Sequence, residues 1–75
     1  MSHTDLEQHR GYSVHGTGEK HDTGKWVGSF HIARHGIPTI SVSVVGVDFD
    51  SADAAASHAL QQGKRYIDDK LSDGQ

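Results

Sequence analysis

The sequence predicts an α+β domain: a three-stranded antiparallel meander with one long C-terminal helix packed on one face, in the order β-β-β-α. Three observations carry this. Residues 25–33, KWVGSFHIA, alternate large apolar with small or polar side chains, the period of two that marks a half-buried strand. Residues 51–71, SADAAASHALQQGKRYIDDKL, switch to steps of three and four, the period of an amphipathic helix. Ahead of the helix, stretches punctuated by glycine at 16–24 and 34–38 break the chain at hairpin intervals.

In the helix, Ala56, Leu60, Gly63, Ile67 and Leu71 form one stripe, widened by Ala52, Ala55, Ala59 and Tyr66. Asp53, Ser57, Gln61, Lys64, Arg65, Asp68 and Asp69 lie mostly toward water, and His58 falls at the boundary. Asp50 or Ser51 is placed to cap the free N–H groups, and Asp53 adds negative charge to the first turn. A single apolar stripe needs a surface to bury it, and in 75 residues that surface is the sheet formed by the preceding chain.

Residues 1–10 hold one strong apolar side chain, Leu6, and no periodicity, so they are expected to form a flexible tail before a single domain at residues 11–71. The polar residues 72–75 are expected to fray. His3, His9, His15 and His21 recur six apart, a spacing that matches neither a helix face nor a short ligand loop. Residues 11–15 read as a short first strand with Tyr12 and Val14 on its inner face. Residues 16–24, GTGEKHDTG, read as a hairpin loop. They do not make a phosphate-binding loop, because five residues separate Gly18 from Gly24 and Lys25 is followed by Trp26 instead of Ser or Thr.

In the second strand Trp26, Gly28, Phe30 and Ile32 point inward, with Gly28 and Gly63 read as counterparts at a close approach of strand and helix. An interior helical glycine costs about 1 kcal/mol against alanine, which implies a packing reason. Residues 34–38 form the next turn, with Pro38 ending the pairing. The third strand is read at 39–47: Ile40, Val42 and Val44 alternate with Ser41 and Ser43, and the apolar phase then shifts to Val45, Val47 and Phe49. Such a shift beside Gly46 is what a β-bulge would produce.

Seven basic and ten acidic residues give a formal charge of −3, a balance that argues against a nucleic-acid partner. Seven histidines, all protonated, would carry that charge from −3 to +4, so association should respond to mild acid. With no cysteine there is neither a disulfide framework nor a thiolate metal site. No apolar run approaches the ~20 residues that span a bilayer, and the polar start MSHTDLEQHR resembles no signal or transit peptide, so a cytoplasmic protein is expected.

Tyr12-x-Val14, then Gly24-Lys25-Trp26-Val27-Gly28-Ser29-Phe30, then Asp48-Phe49-Asp50-Ser51 and an alanine-rich helix ending Tyr66-Ile67-Asp68 form a pattern over about residues 11–71. It resembles that of small stand-alone proteobacterial proteins of unknown function. The order of elements is also similar to the HicB-type antitoxin domain, where a W-x-x-x-F phrase precedes a turn and an Ala/Leu-rich helix, and to the double-stranded-RNA-binding fold without its first helix. The RNA resemblance implies a lysine cluster at the start of the last helix, where this chain carries Asp48, Asp50 and Asp53. These are resemblances of fold, which by itself does not fix function.

Candidate metal ligands are His31 and His35, with Asp48 or Asp50 to complete a site, although a separation of four along a strand is ~13 Å and Arg34 lies between them. Solvated turn histidines are the stronger reading, so neither a metal nor another cofactor is expected. No serine has a nucleophile-elbow setting and no carboxylate pair stands among apolar neighbours, so no catalytic residue is assigned and the chain is read as a non-enzyme. Lys64, Arg65 and Lys70 form a small basic patch that Asp68 and Asp69 are placed to neutralise. What remains is the sheet face turned away from the helix and the unpaired edges that bound it, so the chain is read as a small interaction or regulatory domain acting through that exposed face or edge. Val27, Ser29, His31, Ser41 and Ser43 are its expected contact surface, for a homodimer or a protein partner. The alternatives are a dsRNA-type nucleic-acid module using Lys64, Arg65 and Lys70, and a histidine-based metal- or pH-responsive protein.

Overall fold

Residues 3–71 are described by the computed structural model, as one antiparallel sheet with a C-terminal helix across it. The expected fraying of 72–75 lies outside the described residues. The sheet has four strands in the order β1-β2-β3-β4, one more than expected. The additional strand is β1 (His3–His9), in the segment read as a tail, and it pairs along its length with β2 (Tyr12–Lys20). Arg10 and Gly11 join them with φ of 51° and 84°, the double left-handed turn whose twist suits a two-residue hairpin.

β1 lacks an apolar rhythm because charge holds it to the helix. Lys64 Nζ lies 2.6 Å from Glu7 Oε2, and Asp68 Oδ1 binds His9 Nε2 at 2.8 Å and Arg10 Nε at 2.6 Å. Lys64 and Asp68 therefore reach across to the first hairpin, whereas the sequence placed them in local helical pairs. Along the helix, Arg65 and Asp69 approach each other at 3.9 Å.

β2 continues to Lys20, through glycines that were expected to form a loop, and the connection to β3 (Trp26–Arg34) is correspondingly short. Gly16 and Gly18 are strand residues because the helix α1 (Ala52–Tyr66) lies directly on them. A Cβ on Gly16 would run into the carbonyl oxygen of Ala56, and one on Gly18 into that of Ala52. A Cβ on Gly28 would lie 2.6 Å from the carbonyl oxygen of Ala55. Gly28 and Gly63 are thus not counterparts: Gly28 faces Ala55 and Ala59, while Gly63 sits over Val14 and Phe30.

Below this contact lies the core. Val14, Ile32 and Ile67 are fully buried, with Tyr12, Phe30, Ala59 and Leu60 around them. The Phe30 and Tyr66 rings meet tilted at 5.7 Å, and the Arg34 guanidinium stands 5.0 Å over the Tyr12 ring.

β4 (Ile37–Ser43) begins before Pro38, so Pro38 does not end the pairing. Ile32 pairs with Ile40 and Arg34 with Ile37, so Pro38 and Thr39 together stand opposite Ala33. That bulge accommodates a residue without an N–H, and it replaces the one expected beside Gly46. The strand ends at Ser43, and the chain turns away at Gly46 with φ of 83°. It returns where Phe49 and Trp26 exchange two backbone hydrogen bonds of 2.8 Å. Lys25 Nζ binds Asp50 Oδ1 at 2.6 Å, which leaves Ser51 as the cap, its side chain accepting from the Ala54 N–H at 3.2 Å. His58 packs its ring 5.1 Å from that of Phe49. After Tyr66 the helix widens into a π-helical turn over Ile67–Leu71.

Gly28→Ala should lose at least about 1–3 kcal/mol in a denaturant titration, because backbone must move to admit the methyl group. Gly63→Ala should lose less, since it meets side-chain atoms and gains about 1 kcal/mol of helix propensity. Hydrogen bonds from His9 and Arg10 hold the Asp68 carboxyl below its ordinary value of 3.8. A lowered folded-state pKa stabilises the fold above the unfolded value, and that contribution is lost as pH falls through the folded one. Asp68→Asn should therefore lower stability at neutral pH and flatten its fall below about pH 4, read from melting temperature against pH.

Candidate interaction surface

The helix divides the sheet into two unlike faces. On the open face, side chains line up in rows across the strands: Leu6, His15, His31 and Ser41 form one, and Thr4, Thr17, Ser29 and Ser43 another. Cross-strand bonds tie the face together. His31 Nδ1 is 2.8 Å from Ser41 Oγ, Gln8 Nε2 donates to Ser13 Oγ at 2.9 Å, and Thr17 Oγ1 donates to the Ser29 carbonyl at 3.3 Å. The five residues expected as a contact surface share this face. Ser29 pairs with Ser43 and His31 with Ser41, while Val27, further along β3, pairs with Glu19 of β2.

The candidate metal ligands are not brought together. His31 is in mid-strand and bonded to Ser41, whereas His35 is exposed in the turn between β3 and β4. The nearer neighbour of His31 is His15, directly across the ladder. Among the described residues, no group of three or more His, Cys, Asp or Glu could hold a metal ion. In the basic patch, Lys64 is engaged by Glu7 and Arg65 by Asp69.

The two edges of the sheet differ more sharply than its faces. β1 carries Asp5, Glu7 and His9, and its side toward the helix is clamped by Lys64 and Asp68. Charge on an edge discourages another strand from pairing with it. β4 has no charge at all: from Gly36 to Val47 the sequence GIPTISVSVVGV is neutral. The helix lies over β2 and β3 and reaches β1, leaving β4 largely outside its footprint. Ile40, Val42 and Val44 are accordingly only half-buried. Ile37, Val45 and Val47 beside them are 41%, 81% and 43% exposed.

The backbone of β4 is equally open. The Val44 N–H donates to the Gly28 carbonyl at 2.8 Å, which fixes the alternation of the ladder. Ile40, Val42 and Val44 direct their N–H and C=O groups to β3, and Ser41 and Ser43 direct theirs away from it. The sequence places Ser41 and Ser43 on the exposed face and leaves face and edge both open as the contact, without singling out this edge over the other. The signal was the uncharged, β-branched run itself.

No described helix is long and apolar enough to cross a membrane. No curated protein and no solved structure matches the chain. The profile of the family described as Domain of unknown function (DUF6566) matches residues 2–75, and the chain belongs to that family.

Proposed function

We propose that this chain is a small non-enzymatic interaction domain of the cytoplasm, working through the β4 edge and the apolar strip beside it. One observation carries the reading: β4 combines free backbone groups at Ser41 and Ser43 with half-buried Ile40, Val42 and Val44, and no charge guards it. Proteins commonly blunt such edges, and those that leave them open use them to add a strand from a partner. Main-chain hydrogen bonds then supply affinity, and the side chains of alternate residues supply selectivity.

The likeness to HicB-type and dsRNA-binding domains enters this reading as a likeness of element order only. A dsRNA-type mechanism would need Lys64 and Arg65 at a phosphate backbone, and here they bind Glu7 and Asp69. The open face, with its small side chains hydrogen-bonded across strands, serves as a platform adjoining the edge.

The reading is tested by nuclear magnetic resonance titration with an unstructured peptide of alternating valine and threonine, a generic strand probe. The amide signals of Ser41 and Ser43 should shift first, with those of Gln8 and His9 unmoved. Shifts centred on β1, or on the exposed side of α1, would contradict it.

A further inference from the structure

Resting on that reading, we infer that the strand added to β4 is β4 of a second copy, paired antiparallel about a two-fold axis through Val42. The segment is chemically palindromic. Counted outward from Val42 over residues 40–44, Ser41 matches Ser43 and Ile40 matches Val44. Two-fold pairing in this register places Ser41 of one copy opposite Ser43 of the other, and both direct their N–H and C=O groups outward. It sets Val42 against Val42 and Ile40 against Val44 on the helix side, closing the half-buried strip that α1 leaves uncovered.

Charge selects the same partner. Identical residues meet across a two-fold axis, so a charged edge would repel its own copy. β4 is neutral, whereas self-pairing of β1 would bring its Asp5 and Glu7 near their own copies. The pairing is also bounded. The bulge at Pro38–Thr39 and the turn at Gly46 bracket residues 40–44, so the contact closes as a pair of sheets. Five residues at about 3.4 Å each, across a body 17 Å deep, give roughly 600 Å² of facing surface over both copies. That size belongs to weak, transient association.

Sedimentation equilibrium of the full chain, over concentrations up to about 1 mM, tests the inference by charge exchange. Wild type should move from the 8.1 kDa chain mass toward twice that value. The double variant Ser41→Lys/Ser43→Lys sets lysine against lysine and should remain monomeric, as should Ser41→Glu/Ser43→Glu. An equimolar mixture of the two should dimerise at least as tightly as wild type. Circular dichroism melts establish that each variant is folded. If either is not, Ser43→Pro, which removes one outward N–H, should weaken wild-type association at least tenfold. A monomeric wild type at every concentration overturns self-pairing, as does a dimer indifferent to all these changes. A monomer whose Ser41 and Ser43 amides still respond to the valine–threonine peptide overturns the second copy as occupant while leaving the edge reading intact.

Discussion

Everything in this domain depends on how closely one helix approaches two strands. Gly16, Gly18 and Gly28 remove the side chains that would keep α1 away, and Ala52, Ala55, Ala56 and Ala59 do the same from the helix. The result is contact between helix backbone and sheet backbone, with the large side chains displaced toward Tyr12, Val14, Phe30 and Ile32 at the other end. Dispersion gains from such contact are individually small and collectively large, and they vanish quickly if the surfaces separate. A chain of 75 residues with few aromatics has little other apolar material to draw on.

The same seat decides what is left over. A helix centred on β2 and β3 cannot cover both outer strands. β1 is recovered by charge, through Glu7 with Lys64 and through His9 and Arg10 with Asp68. β4 receives no such clamp among the described residues, and its apolar side chains remain half-covered. Architecture and candidate function are therefore two consequences of one packing choice.

The helix was legible from the sequence because its burial follows the 3.6 period almost residue by residue, from Ala55 to Ile67. The central strand was legible because Phe30 and Ile32 alternate with polar neighbours. β1 was not, because its inward positions are filled by Glu7 and His9, whose partners lie more than fifty residues away along the chain. Its turn, Arg10–Gly11, also lacks the Asn or Asp that usually signals a two-residue hairpin. Glycine misled in the opposite direction: at 16 and 18 it marks close approach within a strand, and composition alone reads it as loop. The shared face of Val27, Ser29, His31, Ser41 and Ser43 was legible from side-chain alternation, whereas which of the two edges is left uncovered follows only from pairing order and the seat of the helix.

Amide hydrogen exchange along β4, followed as the protein is concentrated, tests the central claim most directly, because the uncovered strand is the claim. In dilute solution the Ser41 and Ser43 amides should exchange fast while those of Ile40, Val42 and Val44, bonded to β3, are protected. With increasing concentration the two serine amides should become protected and the other three stay as they were. Serine amides already slow in dilute solution, or unchanged at every concentration, would contradict an open edge that closes on its own copy.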